Sequence, residues 1–205
     1  RAVALYERDG GVLQRHWDIF TDRTVSRRAK ELVVCFMAAI GNYDYLVSYV
    51  FREDGAIKVE CDLTGMMLPK GVPRVTEGRH TGSATGHLVA PRVKAVNHQH
   101  WFSFRLDLDV DGAANNSVLE SETRSIESEP GNAFGMRETT LASESQAGRQ
   151  MDLATSRRWR VVNPGQRNAL GGLPGDGRGP GENAVPYARP GSNERKRAGF
   201  LDHHL

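Results

Sequence analysis

Long apolar runs and cysteines are scarce in this 205-residue sequence, and each shortage excludes a class of protein. The longest apolar run, residues 32–40, is far shorter than the roughly 18 to 20 residues that a membrane-spanning helix needs. Two cysteines cannot build a disulfide scaffold or a zinc cluster. Charge of neither sign dominates, because 27 basic and 25 acidic side chains give a formal net charge of +2. The sequence therefore predicts neither a membrane protein nor a nucleic-acid-binding protein.

An initiator methionine and a targeting segment are also missing, since the sequence begins at Arg1. We therefore expect a piece of a longer protein. The compartment stays open, because a cytoplasmic form and an exported form are both compatible with such a piece.

The pattern that is present is that of β-strands. Stretches rich in Val, Ile, Leu, Tyr and Phe predict strands over residues 2–7, 31–40, 43–52, 56–63 and 99–110. Asp54-Gly55 predicts a hairpin from Tyr43 to Leu63, because this dipeptide tolerates the positive φ angles of tight turns. The pattern favours an all-β domain with long connections, arranged as a β-sandwich, and residues 1–205 form a single partial domain.

The last third of the sequence has a different composition. We predict a strand over residues 157–162 and a short helix over residues 143–153, with Ser143 as its cap and Gln146 at its third position. Residues 171–181 contain six glycines and two prolines, and this composition predicts no regular structure there.

His98-Gln99-His100 is the sharpest local motif. On a strand, residues two apart project from the same face, so both imidazoles can bind one metal ion. The following Trp101-Phe102-Ser103-Phe104 would bury that strand, and buried histidines need a partner. The alternative is a pair of hydrogen-bonded histidines with a structural role.

The acidic stretch Asp107-Leu108-Asp109-Val110-Asp111 matches the opening of an EF-hand loop, but Val118 stands where that loop requires a glutamate. On a strand, the three aspartates would share one face, where their repulsion needs a cation or an arginine. A calcium-type site and an ion pair to Arg105 remain equal alternatives. Further upstream, residues 41–45 by themselves indicate an ordinary turn into a strand, and both cysteines, Cys35 and Cys61, are predicted to be small buried residues.

In this order along the chain, the motifs resemble those of the copper-containing, quinone-dependent primary amine oxidases. The cofactor signature of that family is Thr-x-x-Asn-Tyr-(Asp/Glu), and this sequence has Ala39-Ile40-Gly41-Asn42-Tyr43-Asp44, with alanine in place of threonine. Downstream, the family has a His-x-His pair followed by Arg-Leu-Asp-x-x-Val-Asp-Gly. The corresponding segments here are His98-Gln99-His100 and Arg105-Leu106-Asp107-Leu108-Asp109-Val110-Asp111-Gly112.

The resemblance implies a role for each matching residue. Tyr43 is similar to the tyrosine that becomes the topaquinone cofactor, and Asn42 to the neighbour that orients its ring. His98 and His100 resemble two of three copper(II) ligands. The resemblance also implies a second, calcium-type site formed by Asp107, the carbonyl group of Leu108, and Asp109.

The same resemblance implies a fold and an activity. The fold is part of a large, distorted β-sandwich with little helix, and the intact enzyme is a homodimer. It oxidises primary amines with O₂ and produces an aldehyde, ammonia and hydrogen peroxide. The third copper histidine and the aspartate base fall outside residues 1–205, so we expect this chain alone to be inactive. The competing hypotheses are a non-enzymatic, calcium-binding β-sandwich module and a mononuclear metal enzyme in which Tyr43 only packs.

Overall fold

A computed structural model describes residues 3–73, 85–127, 132–178 and 187–197 of the chain. The chain divides into two compact units, Arg1–His98 and Gln99–Leu205. Both are built from β-sheets, as the sequence predicted, and the strand pairs are antiparallel. Among the described residues, no helix is long and apolar enough to cross a membrane.

The first unit contains a four-stranded sheet in sequential order, β1-β2-β3-β4. Its strands are β1 (Val3–Asp18), β2 (Arg23–Ile40), β3 (Tyr43–Arg52) and β4 (Ile57–Gly65). A three-stranded sheet follows, with β7 (Val93–Val96) between β5 (Pro69–Gly71) and β6 (Gly86–Ala90).

The core of the four-stranded sheet lies where β2 and β3 pair. Val33 and Val50 are direct cross-strand partners and are fully buried. Cys35 is buried with them, and the half-buried Leu46 packs against this cluster. Because alternate residues of a strand point to one face, the apolar alternation of β2 and β3 produces this core.

The second unit contains a four-stranded sheet in the order β11-β10-β8-β9. Its elements are β8 (Ser117–Glu127), β9 (Asn132–Leu141), α1 (Glu144–Ala147), β10 (Arg158–Val162), β11 (Gly175–Arg178) and α2 (Asn193–Arg197). Trp159 and Val162 of β10 are fully buried, and Leu119 of β8 is buried as well.

Two sequence predictions, a hairpin and a strand, are confirmed by the structure. The hairpin of β3 and β4 turns at Gly55, which has a φ of +84°, and the Arg52 amide donates a hydrogen bond to the Ala56 carbonyl. The strand predicted over residues 157–162 is β10. The strands predicted over residues 2–7 and 31–40 also form, but each is longer, because β1 and β2 pair along a hairpin whose exposed part carries many polar side chains.

Three predictions differ from the structure. The strand predicted over residues 99–110 is wrong, because residues 97–109 form neither helix nor strand. A strand requires a hydrogen-bonded neighbour, and alternation in the sequence does not supply one. The helix predicted over residues 143–153 is limited to α1, which ends at Ala147 and has no side-chain cap bond from Ser143. Gln146 instead accepts a hydrogen bond from the Ala142 amide.

The prediction of no regular structure over residues 171–181 is also wrong in part, since β11 lies within this range. Strand β11 pairs with β10 over four residues. A Cβ atom at Gly175 would lie 2.7 Å from the Val161 carbonyl oxygen, so glycine permits this close pairing. Residues 179–181 lie outside the described part of the chain.

Candidate active site

Tyr43 is the first residue of β3, and two strands fix its position. It pairs with Ile40 of β2 and with Gly65 of β4, and its side chain is half-buried. A two-residue turn, Gly41-Asn42, joins β2 to β3, with a φ of +64° at Gly41. Because tight hairpin turns need positive φ, this glycine places Asn42 and Tyr43 at the end of the sheet.

Tyr43 contacts His98, which lies at the end of the same unit. The Tyr43 hydroxyl is 3.2 Å from His98 Nε2, and the ring centroids are 5.6 Å apart. His98 Nδ1 is 2.9 Å from the carbonyl oxygen of Val96. A carbonyl can only accept, so Nδ1 carries a proton and donates to Val96, which leaves Nε2 as the nitrogen that can accept from the Tyr43 hydroxyl.

This orientation of His98 is the one that a metal ligand needs. Metal-binding histidines commonly donate their second ring N–H to a carbonyl or carboxylate, which fixes the ring and leaves the other nitrogen for the metal. Val96 provides that carbonyl here, and Nε2 is directed to Tyr43. Imidazole nitrogen is a good ligand for copper. The residues present at Tyr43 therefore fit a copper ion bound through His98.

His100 is not placed on a common strand face with His98, so the geometric argument for the pair is wrong. His98 is exposed and ends the first unit, whereas the half-buried His100 belongs to the second. Trp101 is half-buried, and Phe102 and Phe104 are 38% and 47% exposed, so these aromatic residues do not bury a strand here. Within the ranges that the structure describes, no three His, Cys, Asp or Glu side chains are grouped to hold a metal ion.

Sequence reasoning missed a second set of contacts to Tyr43, made by the segment that follows β4. The Met66 amide donates a 2.7 Å hydrogen bond to the Asn42 carbonyl, and the Leu68 amide lies 3.4 Å from the Tyr43 hydroxyl. Gly65 has a φ of +104°. A Cβ atom there would lie 2.5 Å from the Asn42 carbonyl oxygen and 2.9 Å from Tyr43 Cα. The sequence signal that could have indicated these contacts is Gly65 itself, because a glycine at the end of a strand permits a close approach of two backbones.

The three aspartates of the acidic stretch do not form a strand face. Asp107 and Asp109 are exposed, Leu108 is half-buried, and Asp111 has a left-handed φ of +50° that begins a loop. The expectation of three aspartates on one strand face is therefore wrong, because the stretch has no strand partner.

The loop that begins at Val110 is bound by asparagine side chains. Asn116 Oδ1 accepts from the Val110 amide at 3.2 Å, and its Nδ2 donates to the Gly112 carbonyl at 2.8 Å. The buried Asn163 donates to the Val110 carbonyl at 2.9 Å. Because Val110 directly follows Asp109, these bonds fix the end of the segment that carries Asp107, Leu108 and Asp109.

The two cysteines are free thiols, and Cys35 is buried as predicted. Cys61 is half-buried on β4, and burial, together with the charge of Asp62, raises the pKa of its thiol. A raised thiol pKa disfavours the reactive thiolate, so Cys61 is suited to packing.

Taken together, the fold and the site describe an antiparallel β protein in which a tyrosine is hydrogen-bonded to an imidazole oriented as a metal ligand. The family model for the enzyme domain of copper amine oxidases matches residues 1–205. The chain therefore belongs to the copper amine oxidase family.

Individual relatives agree with this membership. The peroxisomal, copper-containing diamine oxidase 1 of Nicotiana tabacum is 38% identical over 212 residues, which cover 99% of this chain and 26% of that protein. The histamine oxidase of Arthrobacter globiformis is 35% identical over 207 residues, covering 99% of this chain and 29% of that protein. The chain thus spans little more than a quarter of the length of these curated relatives.

A solved structure gives the same result for the fold. The copper-containing benzylamine oxidase from Hansenula polymorpha superposes with a TM-score of 0.84 and 28% sequence identity. The match covers 97% of this chain and 31% of that one. The all-β fold predicted from the sequence is confirmed by this similarity.

Proposed function

We propose that this chain carries the cofactor tyrosine and copper ligands of an enzyme that oxidises primary amines with O₂. The products are an aldehyde, ammonia and hydrogen peroxide. The observation that carries the proposal is the 3.2 Å contact between the Tyr43 hydroxyl and His98 Nε2. A tyrosine with a purely structural role does not require a histidine beside its hydroxyl whose ring is already oriented by a bond from Nδ1 to a backbone carbonyl. This contact therefore favours the oxidase over a purely structural role for Tyr43 and His98.

In this proposal, Tyr43 is the precursor of topaquinone, and His98 and His100 bind copper(II). When present, copper(II) and a quinone derived from Tyr43 supply the two-electron oxidising chemistry that standard side chains lack. The chain itself contributes position. Strands β2 and β4 fix the backbone of Tyr43, and the Val96 carbonyl keeps the proton of His98 on Nδ1.

Asn42 has a positioning role in the proposal. Its backbone is held in the turn before β3, because its carbonyl accepts from the Met66 amide. This bond leaves little freedom to the peptide group that joins Asn42 to Tyr43. We propose that the fixed peptide and the Asn42 side chain together limit the orientations of the ring at position 43.

We also propose a second metal site for calcium, formed by Asp107, the Leu108 carbonyl and Asp109. Oxygen ligands of this kind are those that calcium prefers. The asparagine-fastened loop after Asp109 supports this proposal, because it limits the motion of the segment. The intact protein is proposed to be a homodimer, with residues 1–205 forming part of a single larger domain.

Conversion of Tyr43 to a quinone is the first testable prediction. The complete gene product is prepared without metal and then given copper(II) in air. We expect a redox-cycling quinone stain and a phenylhydrazine adduct on the peptide that contains residue 43. Tyr43→Phe should fold normally and give neither signal, because only one hydroxyl is lost while the chemistry depends on it.

Tyr49→Phe is the matched control, since Tyr49 lies on the same face of β3, six residues along the strand. This variant should form the quinone as the unsubstituted protein does. An unmodified Tyr43 in folded, copper-loaded and aerated protein would refute the proposed function.

A further inference from the structure

Residues 65–68, the last residue of β4 and the three that follow it, contact both ends of Tyr43, and we call them the clamp segment. We infer that this segment positions Tyr43 for its conversion to the cofactor, with Gly65 and the Leu68 amide as its positioning groups. The inference rests on the proposed function of Tyr43. It assigns a task to residues that neither the tyrosine motif nor the histidine motif contains.

The backbone end of Tyr43 is held by Gly65 and Met66. Gly65 is the cross-strand partner of Tyr43, and its missing side chain lets the two backbones approach closely. A Cβ atom at this position would lie within 3 Å of three backbone atoms: the Asn42 carbonyl oxygen, Tyr43 Cα and the Asp44 nitrogen. Backbone atoms cannot rotate away as a flexible side chain can. Any larger residue at position 65 must therefore displace the Asn42–Tyr43 peptide.

The hydroxyl end of Tyr43 is held by Leu68. The Leu68 amide can only donate, and the Tyr43 hydroxyl already gives its proton to His98 Nε2. The hydroxyl oxygen thus accepts from Leu68 and donates to His98, so both bonds have compatible directions. The side chain of Leu68 is 60% exposed, so its contribution at this point comes from the backbone amide.

Gly55 provides a matched control for Gly65. Both glycines have positive φ, +84° at Gly55 and +104° at Gly65. A Cβ atom at Gly55 would meet nothing within 4 Å. An alanine at either position strains the backbone, but only Gly65→Ala also collides with the peptide before Tyr43.

The first test measures how fast the quinone absorbance appears after copper(II) is added to the metal-free complete gene product. At equal copper content, Gly65→Ala should slow this step on the order of 10²-fold, the effect of a displacement of about 1 Å in a reacting group. Gly55→Ala should leave the rate unchanged. Conversion at the unsubstituted rate in Gly65→Ala would overturn the clamp. If the unsubstituted protein never forms the quinone, the proposed function is refuted instead.

If Gly65→Ala does not fold, substitutions at Leu68 test the clamp segment through its contact with the Tyr43 hydroxyl. Leu68→Pro removes the amide donor, whereas Leu68→Ala keeps it and removes only an exposed side chain. The proline variant should form the quinone more slowly than the alanine variant. Equal rates would overturn the role of the Leu68 amide.

The second test needs neither copper nor a quinone. Amide hydrogen exchange at Leu68 is measured in the metal-free protein by mass spectrometry with residue-level fragmentation. Tyr43→Phe removes the acceptor, so exchange at Leu68 should become about threefold faster or more. Tyr49→Phe should not change it. Unchanged exchange in Tyr43→Phe would overturn the clamp even if the quinone forms.

Discussion

At the scale of single residues, the chemistry of this protein depends on which atom carries each proton. The Val96 carbonyl assigns the proton of His98 to Nδ1, and this assignment makes Nε2 an acceptor for the Tyr43 hydroxyl. In the proposed copper site, the same lone pair of Nε2 would bind the metal ion. A backbone carbonyl two residues from the ring therefore prepares one nitrogen for both tasks.

The proposed copper and calcium sites should be separable by single substitutions. Imidazole is suited to copper and carboxylate oxygen to calcium. His98→Ala should abolish quinone formation in the complete gene product and leave its calcium content intact. Asp107→Asn should lower the calcium content and leave most of the quinone yield. Metal analysis of both purified variants checks this prediction.

Asp176 offers a matched control for the carboxylate substitution, because it is an exposed aspartate of β11, outside both proposed metal sites. Asp176→Asn should leave the copper and calcium contents unchanged. If His98→Ala and Asp107→Asn removed the same metal, the assignment of two separate sites would be wrong.

At the scale of elements, β3 connects the site to the core of the first unit. Tyr43 stands at its start, and Val50 lies near its end, fully buried against Val33 of β2. The strand is rigid because both of its edges are paired, with β2 on one side and β4 on the other. Tyr43 thus lies on the same doubly paired strand as a fully buried core residue.

Truncation of Val50 should therefore weaken the first unit. Val50→Ala deletes buried methyl groups and leaves a cavity, so the free energy of unfolding should fall by about 2 kcal/mol. Val3→Ala is the control, since Val3 lies on a strand of the same sheet and is 68% exposed. Denaturant unfolding of both variants checks the difference. An equal loss for the two would show that the Val33–Val50 contact is not the core.

In the second unit, a buried ion network connects neighbouring strands. Trp159 of β10 is opposite Glu120 of β8, and its indole N–H donates to the Glu120 carboxylate at 3.1 Å. Arg149 and Arg157 lie 3.3 and 3.6 Å from the same carboxylate oxygen. Since a buried carboxylate without partners is costly, these groups explain how a fully buried tryptophan and a buried glutamate share one strand pair.

At the scale of the whole molecule, each unit has a carboxylate whose acidity is increased by arginine. Hydrogen bonds from Arg8 and Lys58 lower the pKa of Glu60 from its usual 4.5 to about 2. Arg157 and Arg124 likewise lower the pKa of Glu122 to about 2. In both cases, the charged form is favoured in the folded protein.

These pKa values predict a loss of stability in acid. Above pH 4.5, Glu60 is ionised in both the folded and the unfolded protein, and its ion pairs stabilise the fold fully. Between pH 4.5 and about 2, the unfolded chain takes up a proton that the folded protein resists, so the free energy of unfolding falls with pH. Denaturant unfolding at several pH values measures this slope.

Glu60→Gln should make the dependence on pH between 4.5 and 2 less steep, because the titrating group is gone. Glu144→Gln is the control, since Glu144 is exposed on the short helix α1. A slope in Glu60→Gln equal to that of the unsubstituted protein would show that the Arg8–Glu60 pair does not contribute.

The sequence by itself determined the features that depend on neighbouring residues. Asp54-Gly55 specified the hairpin of β3 and β4, because positive φ at one glycine reverses the chain locally. Apolar residues over 31–40 and 43–52 predicted part of β2 and the whole of β3. The order of the tyrosine and histidine motifs indicated the family, which the family model then confirmed.

Only the tertiary structure decided which segments find a partner. Residues 99–110 alternate as a strand does but form no strand, whereas the glycine-rich β11 pairs with β10. The contact of Tyr43 with His98 spans 55 residues, and the contacts of the clamp segment depend on the pairing of Gly65 with Tyr43. Strand partners are set by packing, and alternation within one segment does not identify the segment with which it pairs.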